Sequence, residues 1–75
     1  MKWHNLRKNP KLLPDPEKTK NEYVVLVKLK DGDYARDLAC YGKHGWLFEL
    51  YDEEEEIEEI VAWHNTLSVN PGWLT

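Results

Sequence analysis

The stretch Tyr23-Val-Val-Leu-Val-Lys-Leu-Lys30, followed at once by Asp31-Gly32, decides the fold. Most of its residues are β-branched or otherwise apolar, and alternate side chains of a strand point to opposite faces. Tyr23, Val25, Val27 and Leu29 therefore share one face. The other face begins apolar at Val24 and Leu26 and ends charged at Lys28 and Lys30, which predicts partial cover. Asp-Gly supplies the positive φ angles of a tight hairpin turn, so the chain is expected to return antiparallel. Tyr34–Tyr41 is the returning strand, with Leu38 and Cys40 on one face and Ala39 and Tyr41 on the other. Gly42-Lys43-His44-Gly45 reads as a second turn. Trp46-Leu-Phe-Glu-Leu50 then reads as a third strand that places Trp46, Phe48 and Leu50 together.

Before this hairpin, Pro10, Pro14 and Pro16 remove amide donors and favour extended backbone at the residues they follow. Residues 1–22 are expected to be an extended arm whose Trp3, Leu6, Leu12 and Leu13 drop onto the sheet. After the hairpin, the acidic segment carries conflicting signals. Asp52 with Glu55 three residues on resembles a capping box, and acids favour a helix's first turn. Ile57, Ile60, Val61 and His64 recur at helical spacing. The alternative is a charged loop over Asp52–Glu56 and a short fourth strand, Glu59–His64.

Seventy-five residues bound the answer to one compact domain. A chain of this length buries only about 60% of the surface that its unfolded state exposes. Four tryptophans, Trp3, Trp46, Trp63 and Trp73, must supply much of its core. Cys40 is the only cysteine, so no internal disulfide forms, and its apolar neighbours fit a small buried hydrophobe. The absence of an apolar leader and a lone thiol predict a reducing cytoplasm. The apolar runs are far too short to span a bilayer as a helix.

The net charge of −4 is unevenly spread, +5 over residues 1–30 and −9 over residues 31–75. That sign disfavours direct nucleic-acid binding, whose affinity comes from neutralising phosphates.

The order Trp3-x-x-Leu6, Leu13-Pro14, Val25-Leu26-Val27, Tyr41, Gly45-Trp46 and Val61-Ala62-Trp63 resembles a family of short phage and prophage proteins that form a domain of unknown function. The chain departs from that layout in its charged spacer after Leu13-Pro14 and in its tail, His64–Gly72, which replaces a Leu-Pro-rich run. The resemblance implies an extended segment around the last Val-x-Trp, and so favours the fourth strand. It implies a phage or mobile-element setting in a bacterial host cytoplasm, and no catalytic residues.

The expected fold is a single, mainly β domain, with a small α+β fold as the alternative. It comprises an arm (1–22), an antiparallel three- or four-stranded meander (23–64) and a tail (65–75). Its expected core is Trp3, Val25, Val27, Leu38, Trp46, Phe48, Val61 and Trp63.

No nucleophile–base pair, phosphate loop or metal-ligand spacing occurs. His4, His44 and His64 are scattered, and Ser68 is the sole serine. No enzyme activity, cofactor or metal is expected. The candidate binding residues are Asp52, Glu53, Glu54, Glu55 and Glu56, either a solvated loop or a docking face that imitates phosphates, together with Trp73, which is either core or a partner anchor. The expected function is a non-enzymatic interaction protein with a protein partner, or alternatively an acidic nucleic-acid mimic that inhibits a host enzyme. The chain is expected to be a monomer or a weak homodimer.

Overall fold

In a computed structural model, residues 3–66 are described. They form one sheet of five strands: β1 (His4–Asn5), β2 (Glu22–Leu29), β3 (Tyr34–Gly42), β4 (Gly45–Phe48) and β5 (Ile57–Asn65). The order across the sheet is β1-β5-β2-β3-β4, and every neighbouring pair is antiparallel. Strands β2 to β4 are the expected meander, and β5 returns beside β2. Three hairpin-linked strands with a fourth lying beside the first make a Greek key. The fourth strand expected from the resemblance is present, and among the described residues there is no α-helix.

The N-terminal segment is less extended than expected. After β1 the chain turns through Leu6–Lys8, and the segment that follows meets one face of the sheet at Leu12. Leu6 packs on the core there, Pro14 is buried, and the Leu12 carbonyl accepts a hydrogen bond from Trp63 Nε1 at 2.6 Å.

That face carries Tyr23, Val25, Val27, Ala39, Ile57 and Trp63, all buried. Trp46, Phe48, Tyr41 and Tyr51 pack around them, half-buried. Tyr23 meets the edges of Trp46 and Trp63 at centroid distances of 6.0 and 5.1 Å. Such aromatic pairs add about 0.5–1.5 kcal/mol each beyond the area they bury.

Leu38, expected in the core, stands on the opposite face and is 37% exposed. The reason is the β2–β3 loop. Only Gly32 has a positive φ (+97°), while Asp31 does not. Lys28 pairs with Tyr34, and the Leu29 amide bonds the Asp33 carbonyl, so the loop holds three residues rather than two. That extra residue moves the register by one and exchanges the faces of β3. Asp37, Ala39 and Tyr41 point inward as a result.

Asp37 is therefore a buried carboxylate, 3% exposed. Its oxygens accept backbone hydrogen bonds from Leu38, Leu50 and Tyr51, at 2.7 to 3.1 Å. They hold the bend where the chain leaves β4 to cross to β5. Leu50 consequently lies beyond β4, 72% exposed, and not beside Trp46 and Phe48.

Trp3 also departs from the expected core. It lies on the outer face, half-buried, with its ring edge-on to His64 at 4.4 Å and the Arg36 guanidinium 5.9 Å away. On the inner face His4 stacks on Trp63 at 4.1 Å. Two Trp–His pairs, one on each side, thus fasten the two-residue β1 to β5. In β5, Val61 and Glu58 have no partner on β2 and mark two bulges, which increase local twist. Val61 is buried, as expected.

Candidate functional site

The acidic segment forms one capped turn that does not continue as a helix. Asp52 Oδ1 accepts from the Glu54 and Glu55 amides at 2.8 and 2.9 Å, and Glu56 Oε1 accepts from the Asp52 amide at 3.1 Å. This is the anticipated capping box, closed by Glu56 instead of Glu55. The turn stops at Ile57 because Ile57–Asn65 pairs with β2 and fills the core. Packing wins over local helical spacing here.

Folding also cancels much of the charge asymmetry. Arg7 pairs with Glu59, Lys28 with Glu58, and Lys30 Nζ donates to the Glu54 carbonyl. The Arg7 guanidinium holds the Glu59 carboxyl below the usual carboxylate range. Among the acids from Asp52 to Glu59, only Glu53, Glu54 and Glu55 keep side chains with no ion pair or hydrogen bond among the described residues. Trp73, the other candidate, lies outside the described residues.

A carboxyl pair lies on the outer face, where the Glu22 carboxylate accepts a hydrogen bond from protonated Glu49 and so raises the Glu49 carboxyl above its ordinary value. A raised carboxyl stabilises the fold below its unfolded pKa, and that contribution is lost as pH rises through the folded pKa. Glu49→Gln should therefore flatten the mildly acidic part of the stability profile, which thermal melts at stepped pH would show.

The feature that sequence reading missed is the β4 edge. Strand β4 pairs only with β3 among the described residues. In the observed register Gly42 opposes Gly45 and Cys40 opposes Leu47, and the Glu49 amide bonds the Leu38 carbonyl. Antiparallel strands alternate their hydrogen-bonding direction residue by residue. Gly45, Leu47 and Glu49 thus bond inward to β3, and the Trp46 and Phe48 amides and carbonyls point outward, unpaired.

Edge strands are normally guarded by charge, proline or cover. The sequence offers Lys28, Lys30, Arg36 and Glu49 as such guards. Lys28 and Arg36, however, sit on the interior strands β2 and β3, and Lys30 lies just beyond β2. Only Glu49 stands beside β4, directly after its last residue. The sequence of β4, Gly-Trp-Leu-Phe, carries none.

Leu47 in β4 and Leu50 just after it are 74% and 72% exposed, the highest values among the exposed large hydrophobics. Strand alternation outward from the inward-facing Trp46 and Phe48 was the available signal for Leu47. The edge is flanked by two open clefts. One, of about 620 Å³, is lined by Pro16, Tyr41, Lys43, His44, Trp46 and Leu47, among others. The other, of about 430 Å³, is lined by Trp46, Phe48, Tyr51, Asp52, Glu53 and Glu54, among others. A basic turn thus stands at one end of the edge and an acidic turn at the other.

His64 is buried with Nδ1 unbonded, His44 lies in an exposed turn, and Cys40 is half-buried on the outer face. No three His, Cys, Asp or Glu side chains among the described residues are grouped as a metal site. No described helix is long and apolar enough to cross a membrane. No protein-family model, curated protein or solved structure gives a significant match to this chain.

Proposed function

We propose that this domain is a non-enzymatic interaction module that binds a protein partner by strand pairing along β4. The observation that carries the reading is the uncharged edge of β4 with Leu47 and Leu50 bare beside it. An extended segment laid there would satisfy the outward backbone groups of Trp46 and Phe48, and its apolar side chains would cover the leucines. The phage or prophage setting, a host or phage protein as partner, and the bacterial cytoplasm rest on the family resemblance alone.

The unpaired Glu53, Glu54 and Glu55 favour a second reading, an acidic mimic that occupies a nucleic-acid enzyme of the host. Three carboxylates at one turn are a modest imitation of a phosphate backbone, so strand pairing is preferred.

The two readings separate in a pull-down from host lysate followed by affinity measurement. Leu47→Lys should abolish capture of the partner. Changing Glu53, Glu54 and Glu55 together to Gln should leave affinity and its salt dependence almost unchanged. Glu56 is excluded from that change because it caps the turn. Exposed charges act over only about 8 Å at physiological ionic strength. Binding that collapses in salt and with the Gln substitutions, yet ignores Leu47→Lys, would replace strand pairing with mimicry.

A further inference from the structure

We infer that the β4 edge pairs with a second copy of this chain, giving a two-fold dimer in which two five-stranded sheets join. The inference rests on the strand-pairing reading above and names the occupant of that edge.

Register and charge both point to self-pairing. A two-fold axis normal to the sheet at Leu47 sets each Leu47 against the second copy's Leu47, on the outer face. It sets Trp46 opposite the second copy's Phe48, and these are the two residues of β4 whose backbone groups point outward. Each copy's outward amides and carbonyls then meet those of the other. Parity is also right, because Trp46 and Phe48 share the inner face.

The same operation carries the Lys43–His44 turn of each copy towards the Leu50–Glu54 segment of the other. Lys43 has no ion pair among the described residues, nor have Glu53 and Glu54. A closed two-fold contact needs a self-complementary patch, and a strand with a basic turn before it and an acidic turn after it is self-complementary when paired antiparallel. Leu50, exposed at the same end, gains cover. Because β4 spans only four residues, the contact is smaller than a standard interface of roughly 1,600 Å² and the dimer is reversible.

The test is sedimentation equilibrium of the full chain from micromolar to millimolar concentration. A monomer–dimer equilibrium is expected. Leu47→Lys, which sets like charges face to face, should weaken it about tenfold or more. Leu47 is exposed, so the variant should keep the parent's circular dichroism and melting curve.

Charge reversal adds a sharper comparison. Lys43→Glu with His44→Glu in one chain, and Glu53→Lys with Glu54→Lys in another, should each weaken self-association. Mixed, the two variants should form a heterodimer at least as tight as the parent dimer, since every crossed turn then meets its opposite.

Register is read by oxidation in a Cys40→Ser background. Leu47→Cys should cross-link to itself, because a facing non-hydrogen-bonded pair has a Cα separation of about 4.5 Å. Glu49→Cys, set against Gly45, should not. A chain that stays monomeric at millimolar concentration overturns the inference, as does a dimer indifferent to Leu47→Lys. If such a monomer still captures a host protein through β4, only the second-copy inference falls. Loss of both would end the strand-pairing reading as well.

Discussion

Trp63→Ala is expected to leave the domain largely unfolded at room temperature. Trp63 is 8% exposed, stacks on His4, meets Tyr23 edge-on and lies 6.4 Å from Trp46. Its indole N–H also holds the Leu12 carbonyl, so the substitution releases the N-terminal segment from the core face. Truncating a buried tryptophan costs about 3–5 kcal/mol. A core of this size seldom supplies more than about 3–5 kcal/mol in total. Urea denaturation followed by circular dichroism measures the loss. Trp63→Phe keeps an aromatic ring and loses the hydrogen bond, so it should stay folded while trypsin cuts faster at Lys8 and Lys11. An Ala variant with the parent's midpoint would show that β5 does not anchor the core.

Asp37→Ala should be nearly as damaging, for a different reason. No other described side chain accepts the Leu50 and Tyr51 amides, and without Asp37 those donors remain in a partly buried bend. Hydrogen bonds to a charged acceptor contribute about 1.5–3 kcal/mol each and do not simply add, so a loss of roughly 2–4 kcal/mol is expected. Asp37→Asn should lose about half of that, because one oxygen becomes an amide that faces N–H donors. Both variants should raise hydrogen exchange first at Leu50 and Tyr51. Equal exchange across the whole sheet would mean that Asp37 acts only through general stability.

Strands β2 and β4 were legible because they carry apolar patterns that strand geometry and packing both reward, whereas β5 carries helical spacing and was expected as a strand only from the family resemblance. Their expected limits differ from the observed ones by at most two residues. What stayed hidden was decided by single residues. Reading Asp31-Gly32 as a two-residue turn puts Leu38 and Cys40 inward. The observed three-residue loop puts Asp37 and Ala39 there instead, and no apolar pattern announces an inward aspartate. Small inward residues on β3 make sense only once Tyr23, Trp46, Phe48 and Trp63 are seen to fill the volume opposite. The acidic run was legible as an exposed feature. Its division into capping residues (Asp52, Glu56), paired residues (Glu58, Glu59) and unpaired ones (Glu53 to Glu55) depends on contacts with Lys28 in β2 and with Arg7 in the turn after β1. The β4 edge was hidden because strand order is not written locally: β5 returns beside β2 and leaves β4 outermost.

Amide hydrogen exchange at Trp46 and Phe48 tests the central claim most directly. In dilute solution both amides should exchange quickly, while the Leu47 amide between them, bonded to β3, stays protected. When a partner strand is present, whether from a captured protein or from the chain itself at high concentration, the Trp46 and Phe48 amides should slow sharply and the Leu47 amide should change little. Fast exchange at Trp46 and Phe48 under conditions where a partner is demonstrably bound would contradict strand pairing at β4.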